Sequence, residues 1–129
     1  MAHCNGARTA EAAAAAGLDS VEHGAYLDQD ALQTMADMGT VWVPTLSTIG
    51  NLRGKGRFQE DAVQRILESA LENVHDFAAM GGLVASGSDA GAWAVPHGCM
   101  TEFDLLELAL GDKTAAVLTA GIGKIKEKF

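Results

Sequence analysis

Only two of the 129 residues are proline and two cysteine, aromatic side chains make up 5%, and nine Lys and Arg stand against seventeen Asp and Glu. Each scarcity excludes something. Two cysteines, Cys4 and Cys99, cannot build the disulfide framework of a small secreted domain, and the expectation is a reduced, cytoplasmic setting. A net charge of −8 without a dense basic cluster argues against nucleic acid and against anionic membrane as partners. No apolar run approaches the ~20 residues that cross a bilayer, and the opening MAHCNGARTA lacks the apolar stretch of a signal peptide. What is left is a soluble, acidic chain, 48% hydrophobic, with enough apolar side chains for a single domain over residues 1–129.

Glycine, by contrast, is plentiful at fifteen, and Gly17, Gly24, Gly39, Gly81, Gly82 and Gly91 fall where elements end. Between them the pattern alternates. NGARTAEAAAAAG predicts an alanine-rich helix capped by Asn5 and stopped at Gly17. LDSVEHG predicts a short strand ending in a histidine, and LDQDALQTMADMG an amphipathic helix with Leu32, Met35, Ala36 and Gly39 at helical spacing. TVWVPTLS is a β-branched and aromatic strand with Pro44 at its end. After the glycine-rich, basic loop GNLRGKGRF, a long helix from about Gln59 to Met80 carries Val63, Ile66, Leu67, Ala70, Leu71, Val74 and Phe77 on one face. GGLVASGSDAG is the last strand, TEFDLLELALG a helix, and the tail TAAVLTAGIGKIKEKF ends in a basic amphipathic turn or two. Short strands alternating with helices, roughly 30 to 40 residues per pair, are βαβ units on a parallel sheet. The fold class is therefore α/β. A full eight-unit barrel takes about 250 residues, so this chain holds about half of a TIM-like (β/α) barrel, with a small open doubly wound sheet as the alternative.

Three strand exits carry chemistry. MAH ends at His3, SVEH at His23 and VASGSD at Asp89, and in a parallel α/β sheet all three share the face where active sites are built. Two imidazoles and a carboxylate form a divalent-metal constellation that suits zinc, and iron, manganese or nickel less selectively. Plainer readings compete with it. His3 lies near a terminus prone to fraying, His23 can bond to backbone, and Asp89 can cap a helix, although the glycine, tryptophan and proline after it disfavour one. His75, near the end of the long helix, suits the helix dipole and is structural. His97, in the loop AVPHG beyond the last strand, occupies a place that commonly carries substrate contacts. Met35, Met38, Met80 and Met100 are core filler. Cys4 and Cys99 flank the presumed site without a CxxC or nucleophile motif.

The set AHCNG, AGLDSVEHGAYLD, MADMGTVWVPTL, AAMGGLVASGSDAG and PHG followed by an acid, in that order, resembles the amidohydrolase superfamily. Within it the match is closest to the imidazolonepropionase and Xaa-Pro dipeptidase (prolidase-like) branch. The resemblance implies a distorted (β/α)8 barrel holding one or two divalent metals, of which this chain supplies roughly the last four βα units. It places His3 and His23 as the metal-binding histidines after the fifth and sixth strands. Asp89 becomes the catalytic aspartate after the eighth, which binds metal and shuttles a proton, and His97 falls in a loop of the substrate pocket. The implied activity is metal-dependent hydrolysis of a C–N bond in a cyclic amide or dipeptide-like small molecule. Such a metal lowers the pKa of bound water and polarises the carbonyl, and a carboxylate can carry the proton to the leaving nitrogen.

The family's HxH pair and its bridging lysine or glutamate have no counterpart here. None of the four histidines sits in an HxH pair, and Lys55 lies in the glycine-rich loop. The expectation is a fragment whose open edges and uncovered apolar inner face favour pairing. Self-association into a homo-oligomer, or a separate N-terminal half, would complete it. A non-catalytic half-barrel remnant is the alternative function.

Overall fold

Alternation within very short strands sets the two faces of the sheet. The computed structural model describes residues 1–91 and 93–128. Strands β1 (Ala2–His3), β2 (Ser20–Glu22), β3 (Val41–Val43) and β4 (Leu83–Val84) pair in parallel, in the order β1-β2-β3-β4. Register aligns Ala2 with Val21, Trp42 and Val84, and His3 with Glu22 and Val43. Successive side chains point to opposite faces. The first row therefore lies on one face, and the second row lies on the other with Ser20 and Val41. β3 ends at Val43, with Pro44 just past it as the sequence predicts.

The Val21–Trp42–Val84 face carries the main core. Helices α1 (Ala7–Ala15), α2 (Gln29–Asp37) and, after a short α3 (Ser47–Gly50), α4 (Glu60–Ala79) connect the strands. Val21, Trp42 and Val84 share a buried cluster with Ala10, Leu32, Met35, Leu67 and Val74. Trp42 meets Phe77 edge to face at 5.6 Å. The α4 stripe is buried at Val63, Leu67, Ala70, Val74 and Phe77, as the spacing predicts, and also at Asn73, whose Nδ2 donates to the Leu27 carbonyl at 2.9 Å.

Two local expectations are corrected. Asn5 does not cap α1: Gly6, in extended conformation, holds the N-cap position with no side-chain bond. The side-chain cap is on α2, where Asp28 Oδ1 accepts from the Ala31 N–H at 3.0 Å. Met35 is core, but Met38 and Met100 are 51% and 61% exposed, because each flanks a helix end, where the chain turns outward, instead of lying on a buried stripe.

The tail departs most from expectation. Past α5 (Thr101–Leu110) and a 3-10 turn (Gly111–Lys113), it is not a turn or two but the fifteen-residue helix α6 (Thr114–Lys128). Gly121 of α6 rests on the Val84 carbonyl so closely that a Cβ there would lie 2.0 Å from the oxygen. The Ala85 N–H bonds to Trp42 O on β3, so the Val84 carbonyl faces the free edge of β4, and α6 covers that edge. Beyond it the helix crosses the second face. Ser20 and Val41 are buried there, in a small cavity shared with Lys124, Ile125 and Lys128, and Lys128 pairs with Asp19 at 2.9 Å. The inner face is therefore not uncovered as expected. Its lower part lies under α6, while His3, Glu22 and Val43 at the strand exits are exposed or half-buried. Among the described residues no helix is long and apolar enough to cross a membrane.

Candidate functional site

The chain leaves β2, β3 and β4 through left-handed corners. His23 (φ 74°), Thr45 (φ 48°) and Asp89 (φ 54°) are the non-glycine residues with positive φ among the described residues. Histidine and aspartate tolerate this conformation, whereas a β-branched threonine in it is strained, and such strain collects at functional sites. Hydrogen bonds hold the corners. The His23 N–H donates to Val43 O at 2.9 Å, and Trp42 Nε1–H donates to His23 O at 2.6 Å. Gly24 follows with φ 87°, and a Cβ there would come within 2.9 Å of Trp42 Nε1 and of Leu27 Cδ1. Thr45 O accepts from both the N–H and the hydroxyl of Thr48.

These corners bring two of the predicted residues together directly. The His3 and His23 rings, from adjacent strands, lie 4.2 Å apart between centroids and cross at 64°. His23 Nδ1 is 2.8 Å from Thr45 Oγ1, which leaves Nε2 as the nitrogen open to another partner. Burial lowers the His23 pKa, the neighbouring His3 lowers it further, and the Asp89 and Glu22 carboxylates oppose both. The balance favours the neutral imidazole, the form that a metal ligand or base requires. Asp89 is exposed at the β4 exit. It caps no helix, since the next helix begins at Thr101. Its position is fixed through the preceding residue, where Ser47 Oγ donates to Ser88 O at 2.8 Å.

The remaining sequence candidates separate clearly. His97 is exposed and folds back over Gly91, where a Cβ would sit 3.5 Å from its Nε2. That puts the imidazole beside the chain two residues past Asp89. His75 Nδ1 meets Ala109 O at 3.2 Å, a contact between α4 and α5. Cys4 is buried, and burial, then the Glu22 charge, push its thiol pKa up, which disfavours the reactive thiolate. The loops after β3 and β4 are joined by Arg57, whose guanidinium lies 4.6 Å from the Trp93 ring centroid and 5.7 Å from that of Phe58. Thr45 and Ser47 were missed from sequence. A reading of strand exits for histidines and acids passes over PTLS, although it occupies the β3 exit just as SVEH occupies that of β2.

The donor types suit a divalent ion, and the His3 and His23 rings are neighbours. Among the described residues, however, no group of three or more His, Cys, Asp or Glu side chains is gathered closely enough to hold it. What fits is a two-imidazole half-shell with a carboxylate nearby, requiring further donors.

No family model and no curated protein matches the chain in sequence. Its fold matches solved structures. A Xaa-Pro dipeptidase with methionine bound in its active site superposes at TM-score 0.72 and 28% identity, over 97% of this chain and 32% of that one. An uncharacterised protein superposes at TM-score 0.75 and 25% identity over 96% of this chain and 32% of that one. An ochratoxinase from A. niger superposes at TM-score 0.71 and 24% identity over 92% of this chain and 27% of that one. The fold is thus amidohydrolase-like and the resemblance is to hydrolases. The chain spans about a third of the length of the structures it matches.

Proposed function

We propose that this chain forms part of a metal-dependent amidohydrolase of the imidazolonepropionase and Xaa-Pro dipeptidase-like branch, acting on a C–N bond in a cyclic amide or dipeptide-like small molecule. One observation carries the reading: the imidazole pair at the β1 and β2 exits, with the neutral form of His23 favoured by burial and its Nδ1 committed to Thr45. His3 and His23, the latter through Nε2, would hold a divalent ion, zinc ahead of iron, manganese or nickel. That ion, when bound, polarises the scissile carbonyl and lowers the pKa of a water. Asp89 takes the proton of the attacking water and returns it to the leaving nitrogen. His97, beside Gly91, contacts the substrate. Further donors come from a second copy of the chain or from a separate N-terminal half, and closing a full barrel requires α6 to leave the β4 edge that it covers here.

The second reading, a non-catalytic remnant, is favoured by the absence of a three-donor group among the described residues. Metal content after dialysis against a mild chelator, alongside hydrolysis of Xaa-Pro dipeptides, separates the two. Close to one equivalent of zinc per chain, lost in His23→Ala and Asp89→Ala, supports the hydrolase. Folded protein that retains no metal and cleaves no dipeptide supports the remnant.

A further inference from the structure

Glu102 is an acid where stability alone would not place one. It lies in the first turn of α5, only 3% exposed. Its Oε2 accepts the Ser47 N–H at 2.7 Å, while Oε1 is buried without a hydrogen-bond partner among the described residues. A buried polar atom left unpaired is destabilising, and an apolar side chain of similar shape would serve the core better. What the carboxyl group does supply is a fixed acceptor at the β3 exit, on a helix whose start is itself anchored there: Thr101 Oγ1–H donates to Asn51 Oδ1 at 3.0 Å.

The β3 exit is where the two halves of the strand-exit site meet. Thr45 contacts His23 Nδ1, and two residues on, Ser47 Oγ binds the Ser88 carbonyl that leads into Asp89. Glu102 grips the amide of that same Ser47. We propose that Glu102 is a positioning residue: it pins the segment Thr45–Ser47, from which Thr45 orients the His23 ring and Ser47 holds the backbone carrying Asp89. Burial raises the Glu102 pKa, against hydrogen bonds from Ser47 and Leu46 that lower it. The carboxyl group is therefore protonated more readily than that of an exposed glutamate. The inference rests on His23 and Asp89 being the site, but it is testable without metal or turnover, so its failure is distinguishable from failure of the hydrolase reading.

The test is by NMR on the whole chain, following the ring nitrogens of His23 and the backbone amides of Ser88 and Asp89. Glu102→Ala is expected to move both sets. Ser47→Ala moves only the Ser88 and Asp89 amides, and Thr45→Val only the His23 nitrogens. Glu102→Gln restores both, because the amide oxygen accepts the Ser47 N–H. Val74→Ala, a core truncation that also lowers stability, moves neither. Should Glu102→Ala not fold, Glu102→Asp, which withdraws the carboxyl by one methylene, is read in the same way. A Glu102 variant that leaves either set in place, or a Val74→Ala that moves both as far, overturns the proposal.

Discussion

Gly121 and Gly123 sit two residues apart on α6, and alanine at each should act in opposite directions. At 121 the new Cβ would lie 2.0 Å from Val84 O, 2.5 Å from its carbonyl carbon and 3.1 Å from the Ala85 nitrogen. Even a close C···O contact is about 3.3 Å, so helix and strand must part by roughly 1 Å or more. Every atom met is backbone and cannot rotate away. Overpacking costs about 1–3 kcal/mol, and a rigid backbone contact belongs at the top of that range. Alanine's better helix propensity returns about 1 kcal/mol, for a net loss of about 2 kcal/mol. At 123 nothing lies within 4 Å, and alanine should gain about 0.5–1 kcal/mol. In urea, with an m-value of about 1.5 kcal/mol/M, the midpoint should fall by about 1.3 M in Gly121→Ala and rise by about 0.5 M in Gly123→Ala. Far-UV circular dichroism and tryptophan fluorescence should report the same transition. A Gly121→Ala midpoint at or above that of the parent would refute the packing of α6 on the β4 edge.

Other consequences are open to equally direct measurement. Asp28→Ala removes the α2 cap and should cost about 1 kcal/mol in urea unfolding; no loss would mean that the bond to Ala31 is idle. The Glu102 pKa is raised by burial, so its contribution to stability is full below the ordinary glutamate value of about 4.3 and is lost as pH rises through the higher folded value. Glu102→Gln cannot ionise and should lack that part of the pH dependence, and identical profiles would contradict the shift. Asp19 behaves in the reverse sense. Its hydrogen bond to Lys128 lowers its pKa, so the stabilisation is present above the ordinary aspartate range and disappears as pH falls through the folded value. Lys128→Met should return the Asp19 titration, followed by NMR, to the ordinary range, and because the pair is exposed, added salt should do much the same.

The elements were legible because their periods are strong. The α4 stripe from Val63 to Phe77 and the strand–helix alternation need no tertiary knowledge, and His3, His23 and Asp89 could be singled out because strand exits are where a parallel sheet gathers chemistry. The rest depends on contacts that local patterns do not encode. TEFDLLELAL carries three acids, and nothing in the helical period says that Glu102 is the buried one; docking of α5 against Asn51 and Ser47 decides it. The glycines of GIG weaken the helical signal of the tail, yet a bare backbone at Gly121 is what allows α6 to lie on Val84. Thr45 and Ser47 are ordinary small polar residues in sequence until the left-handed corner at Thr45 turns one toward His23 and the other toward Ser88.

Sheet order that repeats chain order has a consequence for the mouth of the site. Neighbouring strands lie about 4.8 Å apart, which matches the His3–His23 spacing but puts the β1 and β4 exits roughly 14 Å apart in a flat sheet. Side chains sharing one zinc ion each reach it at about 2 Å, so His3 and Asp89 can serve a common ion only if the sheet curls. Curl is thus a property of the site as much as of the scaffold, and changes that flatten the sheet would widen the mouth without touching a single donor. α6 lies against the outermost strand at Gly121, so a glycine that faces neither His3 nor Asp89 belongs to the packing that sets the sheet's shape.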